Sequence, residues 1–197
     1  MAIKHGVDTA EFEEFTQHAA ENPEEVQFEL TAKSIYEGTV AHSLAKVDSY
    51  KVGGEEIERE TREYTVPFGA WREVLDAGGW TGPTDRPEPI EMALSALASC
   101  INVGISMNAL ATGADIDELR THIKTDFDPA VLFSLKDLDE ADEVFENLEA
   151  EIEIEGEGIH EEEVEEWAQR APVFTMIALG QDVDISIDTT TMVAADD

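Results

Sequence analysis

The chain carries a single thiol, that of Cys100, and this thiol lies in a long segment without charged side chains. The uncharged run covers residues 92–113 in a protein in which 29% of residues are charged. A thiol in such a segment is either a nucleophile that reacts as its thiolate or a small apolar group packed in a core. Because a lone buried cysteine is usually a packed hydrophobe, the residue type alone favours the second interpretation.

The other residues able to do chemistry give weaker signals. Glu91 precedes the uncharged run, where an acid in the first turn of a helix is favoured by the helix dipole. The histidines lack paired spacing and partner cysteines, so no metal site is expected. They are His5, His18, His42, His122 and His160. No glycine-rich phosphate loop follows a strand, so no nucleotide cofactor is expected either.

The segment that positions Cys100 is predicted to be one long helix over residues 89–113. Pro89 suits the first turn and Gly113 suits the C-terminal cap. The run is long enough to span a membrane. It nevertheless contains several serine, asparagine and threonine residues, and no second apolar span, basic flank or aromatic belt accompanies it. We therefore expect the central helix of a soluble core.

The segments before this helix predict a short helix followed by a small sheet. Residues 8–22 have helical periodicity, with Asp8 and Glu11 at capping-box spacing, and Pro23 ends the pattern. Alternation then predicts a three-stranded antiparallel meander at residues 26–30, 40–47 and 63–67, with a turn at Gly53-Gly54. Residues 71–86 are rich in glycine and proline and are predicted to be a loop.

The segments after the helix predict a second meander and a second helix. Apolar residues alternate at 119–127, 148–154 and 183–187, which predicts three strands with one solvated face each. An acidic stretch within residues 128–147 predicts a short surface helix. Residues 160–171 predict an amphipathic helix that buries Val164, Trp167 and Ala168.

These elements together predict an α+β fold. Two antiparallel three-stranded meanders flank a long buried central helix and a second helix. The expected division is an N-terminal helical appendage at 1–25, a single domain at 26–190 and a tail at 191–197. An apolar helix this long needs cover on all sides, which three-stranded sheets cannot easily give, so we expect a homodimer that shares its core.

The charge balance restricts the partners. Twelve basic against 46 acidic residues give a formal charge of −34, which repels nucleic acid and anionic membranes alike. Such self-repulsion is tolerable where salt screens it, so we expect a protein of a halophile. One cysteine allows no internal disulfide, and the N-terminal residues show no apolar secretory core, so a cytoplasmic location is expected.

Two stretches resemble one family. The sequence GGWTGPTDRPEPIEMALSALASC is similar to the entry into the central helix of OsmC/Ohr proteins, where a Gly-Gly and Gly-Pro loop leads to a proline, a glutamate and then a cysteine. The later RAPVFTM is similar to the family's second helix, which ends in Cys-Pro-Val. The resemblance implies an intertwined homodimer that reduces organic hydroperoxides with thiols, at sites formed by both subunits.

The resemblance also assigns residues. Cys100 matches the peroxidatic cysteine, and Glu91 matches the supporting carboxylate, nine residues earlier rather than ten, so we expect both to face one site. In the family an arginine of the first meander completes the site, but the matching strand has none here. The candidates elsewhere remain open. They are Arg59, Arg62, Arg72 and Arg86.

Ala171 is the largest departure from the family, because it stands where the resolving cysteine would precede Pro172. Without that second sulfur, a sulfenic acid on Cys100 cannot close into an intramolecular disulfide, and turnover needs an external thiol. Three functions follow as alternatives. They are a one-cysteine peroxidase, a binding protein whose pocket holds an apolar small molecule beside Cys100, and a one-cysteine redox sensor.

Overall fold

Small antiparallel sheets and helices alternate along the chain in a computed structural model that describes residues 3–58, 63–180 and 183–187. The strands are β1 (Ile3–Lys4), β2 (Val7–Asp8), β3 (Phe28–Leu30), β4 (Lys33–Tyr36), β5 (Ser43–Val47), β6 (Tyr50–Val52), β7 (Glu55–Ile57), β8 (Tyr64–Phe68), β9 (Asp115–Phe127) and β10 (Phe145–Glu157). The helices are α1 (Thr9–Glu21), α2 (Arg72–Gly78), α3 (Pro89–Thr112), α4 (Glu161–Gln169) and α5 (Pro172–Ala178). Short 3₁₀ turns cover Pro23–Val26 and Leu138–Glu143.

Helix α3 confirms the predicted central helix. Pro89 occupies its first turn, and Gly113 ends it with a left-handed φ of 87°, a conformation that costs glycine little. The N-terminus carries a capping box. The Glu88 carboxylate accepts the backbone N–H of Glu91, and the Glu91 carboxylate accepts the backbone N–H of Glu88. By length and composition α3 is the one helix among the described residues that matches a membrane span, a test that core helices also pass.

The core forms on one side of α3. Every fourth residue of the helix is buried, which gives a single apolar stripe. The stripe consists of Leu97, Ile101, Ile105 and Ala109. The antiparallel pair β9–β10 packs its isoleucines against this stripe, and α4 adds Val164, Trp167 and Ala168, as the sequence predicted. In one chain the other face of the helix is open, because Val103 and Met107 there are about half exposed. The cover of this face by a second copy remains a prediction.

The first meander is present, but it is divided into two sheets. Strands β4, β5 and β8 form one sheet, and β3, β6 and β7 form the other, with the expected turn at Gly53-Gly54 between β6 and β7. The chain passes from the first of these sheets to the second between β5 and β6. There the Asp48 carboxylate accepts the Ser49 backbone N–H and pairs with Lys33 at 2.7 Å. Periodicity alone does not reveal such local side-chain bonding.

Three further expectations concern segments outside the central helix. The stretch at 71–86 is not all loop, because α2 lies within it and the Trp80 indole N–H donates to the Val40 carbonyl oxygen. Residues 183–187 form no strand, so β9 and β10 are a two-stranded sheet in the described chain. Helix α1 is confirmed, with Asp8 as its cap and no buried residue. The domain boundaries remain a prediction.

Candidate functional site

Cys100 lies in the middle of α3, where its partly buried side chain packs against the core. Its sulfur accepts a hydrogen bond from the Val173 backbone N–H at 3.4 Å. Val173 is the second residue of α5, where backbone donors have no partner within the helix, and Pro172 before it has no N–H to offer. The Cys100 sulfur therefore caps the start of α5.

Close packing of α3 against α4 holds the start of α5 in place. A Cβ added to Gly104, one turn after Cys100, would lie 3.0 Å from the Trp167 carbonyl oxygen and 3.4 Å from the Ala171 Cβ. Only a residue without a side chain lets the backbones approach this far. Ala171 is fully buried at this contact. The two sequence stretches that resemble the OsmC/Ohr family meet in space at the hydrogen bond between Val173 and Cys100.

The Glu91 carboxylate forms hydrogen bonds at the N-terminus of its own helix, α3. The Trp71 side chain and the Glu88 backbone N–H donate hydrogen bonds to its carboxylate, and they hold the pKa of that carboxyl below its usual range. Nine residues of α-helix amount to two and a half turns and about 13 Å of rise. Glu91 and Cys100 thus point to opposite sides of α3 within one chain, and their expected common site remains a prediction.

The candidate arginines differ in surroundings. Arg59 and Arg62 lie outside the described residues. Arg72 has a 64% exposed side chain and faces Asp76 at 3.8 Å on its own helix. Arg86 is withdrawn from solvent, with 24% of its side chain exposed, and it pairs with the Glu37 carboxylate and donates to the Phe68 carbonyl oxygen at 3.4 Å. Among the described arginines, none donates a hydrogen bond to the Cys100 sulfur.

Sequence reasoning missed the surroundings of Arg86. The Arg86 stem and the His42 ring both lie against Gly69, where an added Cβ would be 2.8 Å from the Arg86 Cβ and 3.2 Å from the His42 Cδ2. The His42 Nε2 is buried without a hydrogen-bond partner in the described chain. The contact joins residues that are far apart in the sequence, so no local sequence pattern predicts it.

The asparagines of α3 have structural partners. The Asn102 carboxamide oxygen accepts from the Thr121 hydroxyl at 2.7 Å, which ties α3 to β9. The Asn108 side chain donates to the Gly104 carbonyl oxygen at 2.7 Å. Both side chains therefore have partners within the fold. Within the described ranges, no group of three or more histidine, cysteine, aspartate or glutamate residues is arranged to hold a metal.

An open apolar groove lies on the core side of α3, and its lining includes Ile101 but not Cys100. Its volume is about 590 Å³, and it runs between α4 and the inner face of β10. Ile101 and Phe174, the neighbours of Cys100 and Val173 in the chain, both line it. Glu161 and Glu165 form its acidic rim. The groove is large enough for a small apolar ligand.

The fold and the site define an α+β protein whose central helix presents one thiol to the start of a second helical segment. The sequence model of the family described as OsmC-like protein matches residues 82–186, more than half of the chain. The chain therefore belongs to the OsmC-like family.

Among solved structures, the chain is similar to an OsmC-like protein from Mycoplasma pneumoniae at 15% identity. The match covers 76% of this chain and 87% of the other, with a TM-score of 0.44. A comparison with curated proteins gave no match.

Proposed function

We propose that the chain is a thiol-dependent peroxidase that reduces organic hydroperoxides in the cytoplasm, with Cys100 as the peroxidatic residue. The observation that carries this proposal is the hydrogen bond from the Val173 N–H to the Cys100 sulfur. A thiol that only fills space in a core needs no such donor, whereas a reacting thiolate is stabilised by one. Membership of the OsmC-like family supports the same function.

The proposed reaction has two stages. The Cys100 thiolate attacks the outer peroxide oxygen, a sulfur–oxygen bond forms as the oxygen–oxygen bond breaks, and the alkoxide leaves as an alcohol after taking a proton. The product on the enzyme is a sulfenic acid. An external thiol then displaces water to give a mixed disulfide, and a second thiol releases the cysteine. The external thiol is needed because Ala171 provides no sulfur.

The remaining roles depend on a second copy of the chain. The exposed face of α3 supports a homodimer, and only a partner can bring a carboxylate such as Glu91 to Cys100. Arg86 is the arginine we assign to the site, because it is the least exposed of the arginines whose ion pairs are described. A guanidinium that stabilises a thiolate in an apolar site acts more strongly when it is partly shielded from water.

The test is reaction with one equivalent of tert-butyl hydroperoxide followed by mass spectrometry. We expect one added oxygen on Cys100, loss of the reaction in Cys100→Ser, and turnover when a small thiol is supplied. Glu91→Gln is expected to slow the oxidation step, whereas Glu73→Gln, an acid in the first turn of α2, is expected to leave it unchanged. If hydroperoxide leaves Cys100 untouched while denatured protein reacts, the peroxidase proposal is wrong.

A second function is favoured by the apolar groove that Ile101 and Phe174 line. In this alternative the chain binds a small apolar molecule, and the thiol only lies next to the ligand. Titration of native protein and of Cys100→Ser with cumyl alcohol distinguishes the two. Equal binding by both, together with an unreactive thiol, supports the binding protein. If neither protein binds cumyl alcohol, the proposal of a binding protein is wrong.

A further inference from the structure

The N-terminal hairpin is attached to the C-terminal end of the central helix. Strands β1 and β2 pair with each other as an antiparallel hairpin. The Lys4 ammonium donates to the carbonyl oxygens of Gly113 and Ala114 at 3.1 and 2.8 Å, where the end of α3 favours a cation. The His5 Nε2 is hydrogen-bonded to the Asp115 carboxylate at the start of β9. These contacts place the hairpin beside both α3 and β9.

A pocket of about 280 Å³ lies between this hairpin, α3 and β9. Its walls are mainly apolar, and they include Val7 of the hairpin, Met107 and Leu110 of α3, and Leu119 of β9. Leu110 follows Cys100 by ten residues, which is about 15 Å along the helix axis. The pocket shares no lining residue with the apolar groove between α4 and β10, so the two are separate cavities.

Two polar side chains that line the pocket, His5 and Ser106, offer hydrogen-bond acceptors. The hydrogen bond from His5 holds the pKa of the Asp115 carboxyl below its usual range, so this group stays ionised and only accepts. In the neutral imidazole the proton is therefore on Nε2, which leaves Nδ1 as an acceptor with no partner among the described residues. The Ser106 hydroxyl donates to the Val103 carbonyl oxygen at 3.1 Å, so its free lone pairs accept as well.

The charges around the pocket favour a neutral ligand. The Asp115 carboxylate is already paired with His5 and with Lys4, whose Nζ lies 3.7 Å away, so it leaves a ligand cation without a free carboxylate. An anion finds acceptors instead of donors on His5 and Ser106, in a chain with a formal charge of −34. The volume is that of about nine water molecules in the liquid, which fits a molecule with a single ring.

We propose that this pocket binds a small neutral molecule with an apolar body and one hydroxyl group. The apolar body contacts Met107, Leu110 and Leu119, and the hydroxyl donates a hydrogen bond to the His5 Nδ1. A buried apolar body supplies most of the affinity, and the hydrogen bond selects a ligand with an O–H group. The proposed binding does not depend on the reactivity of Cys100.

A pair of matched ligands tests the hydroxyl. Protein labelled with ¹³C at its methionine methyl groups is titrated with benzyl alcohol in high salt at about pH 9, above the titration range of an ordinary imidazole. We expect a saturable shift of the Met107 methyl resonance, which Met107→Leu assigns. Benzyl methyl ether has the same ring but no O–H group, so we expect it to bind roughly fivefold more weakly. A shift that does not saturate, or equal affinities for the two ligands, overturns the proposal.

Two histidine substitutions test the acceptor. His5→Phe keeps a ring but removes Nδ1, and it should weaken binding of benzyl alcohol roughly fivefold while the affinity for the ether stays unchanged. His160→Phe, at an exposed position before α4, should change neither affinity. Equal losses for both ligands in His5→Phe would show that the ring shapes the pocket without accepting the hydrogen bond, which contradicts the proposal.

Two serine substitutions test the location. Ser106→Leu fills the pocket from an exposed position of α3 and should abolish binding of both ligands. Ser99→Leu, about two turns earlier on the same side of the helix and outside the pocket lining, should retain it. Binding that survives Ser106→Leu places the ligand elsewhere and overturns the proposal.

The open face of α3 adds one more outcome, because Met107 lies on this face as well as in the pocket. The titration is therefore repeated with Val103→Asp, which places a charge on the open face. We expect both proteins to bind benzyl alcohol. Binding by Val103→Asp alone would mean that a second copy of the chain fills the pocket in the native protein, which contradicts a ligand site.

Discussion

At the residue scale, the Cys100 sulfur accepts a hydrogen bond from a helix other than its own. A cysteine in the middle of α3 is far from both helix ends, where the dipole acts. The structure provides a donor from another element, the first free N–H of α5. A single peptide group of another helix therefore donates to the sulfur. This placement depends on Pro172, which leaves Val173 as the first donor of the helix.

The first prediction concerns the position before Pro172. Ala171→Cys restores a sulfur where the family has its resolving cysteine. After one equivalent of tert-butyl hydroperoxide, we expect an intramolecular disulfide with Cys100 instead of a persistent sulfenic acid, because the new thiol attacks the oxidised sulfur. Thiol counting and peptide mass spectrometry measure this outcome.

The control for this prediction is Ala114→Cys. Ala114 is also buried, but it follows the end of α3, about 20 Å from Cys100 along the helix axis. It should form no disulfide within the chain. A sulfenic acid that accumulates equally in both variants would show that residue 171 does not approach the oxidised sulfur.

Glu91 shows what sequence could and could not predict about the site. The sequence placed it correctly in the first turn of the central helix, because proline and acid positions in a first turn are local signals. Its partners were not predictable, since Trp71 is 20 residues away and Glu88 is an unusual cap. The opposite orientation of Glu91 and Cys100 follows from helix geometry once the helix is known to be unbroken.

At the element scale, the periodic segments were predicted well and the connections poorly. Residues 89–113 and 160–171 show clear helical patterns, and α3 and α4 lie there. The first meander divides between β5 and β6, where the Asp48 carboxylate accepts the Ser49 backbone N–H, and the strand expected at 183–187 is absent. Alternation identifies which face can be buried, but it does not say which element covers that face.

The crossing of α3 and α4 gives a prediction at this scale. Gly104→Ala should lower the free energy of unfolding by about 1 to 2 kcal/mol, although alanine is the better helix former, because its Cβ meets the Trp167 carbonyl oxygen. Denaturant unfolding in high salt measures the change. Ser106→Ala, on the exposed side of the same helix, should change stability by less than about 0.5 kcal/mol. A more stable Gly104→Ala would mean that the helices pack less closely than described.

At the scale of the whole molecule, the excess of acidic residues has the largest electrostatic effect. Surface ion pairs such as Lys33–Asp48 and Lys51–Glu29 involve exposed side chains and stabilise the fold little. They leave most of the 46 acidic residues uncompensated by 12 basic ones. The net effect is repulsion across the surface, which salt reduces.

The resulting prediction is that the melting temperature rises steeply with salt. Melts in chloride and sulfate salts at equal ionic strength separate screening, which depends on ionic strength, from exclusion of sulfate from the surface. We expect most of the rise in melting temperature to occur in the chloride series as well as in the sulfate series. A flat response in chloride would contradict stabilisation by screening.

The last prediction concerns assembly, and it follows from the uncovered face of α3. The face carries Met92, Val103 and Met107, which are 37%, 55% and 47% exposed in a helix without charge from residue 92 onward. Burial of such a face is favourable, so we expect a homodimer that buries more than about 2,000 Å² in total, the range of obligate interfaces. Sedimentation in high salt is expected to give a dimer for the native chain. Val103→Asp should give a monomer, because a dimer would bury an unpaired charge, whereas Val74→Asp on the exposed side of α2 should remain dimeric. A native chain that sediments as a stable folded monomer would leave α3 exposed and remove both the dimer and a site shared between two copies.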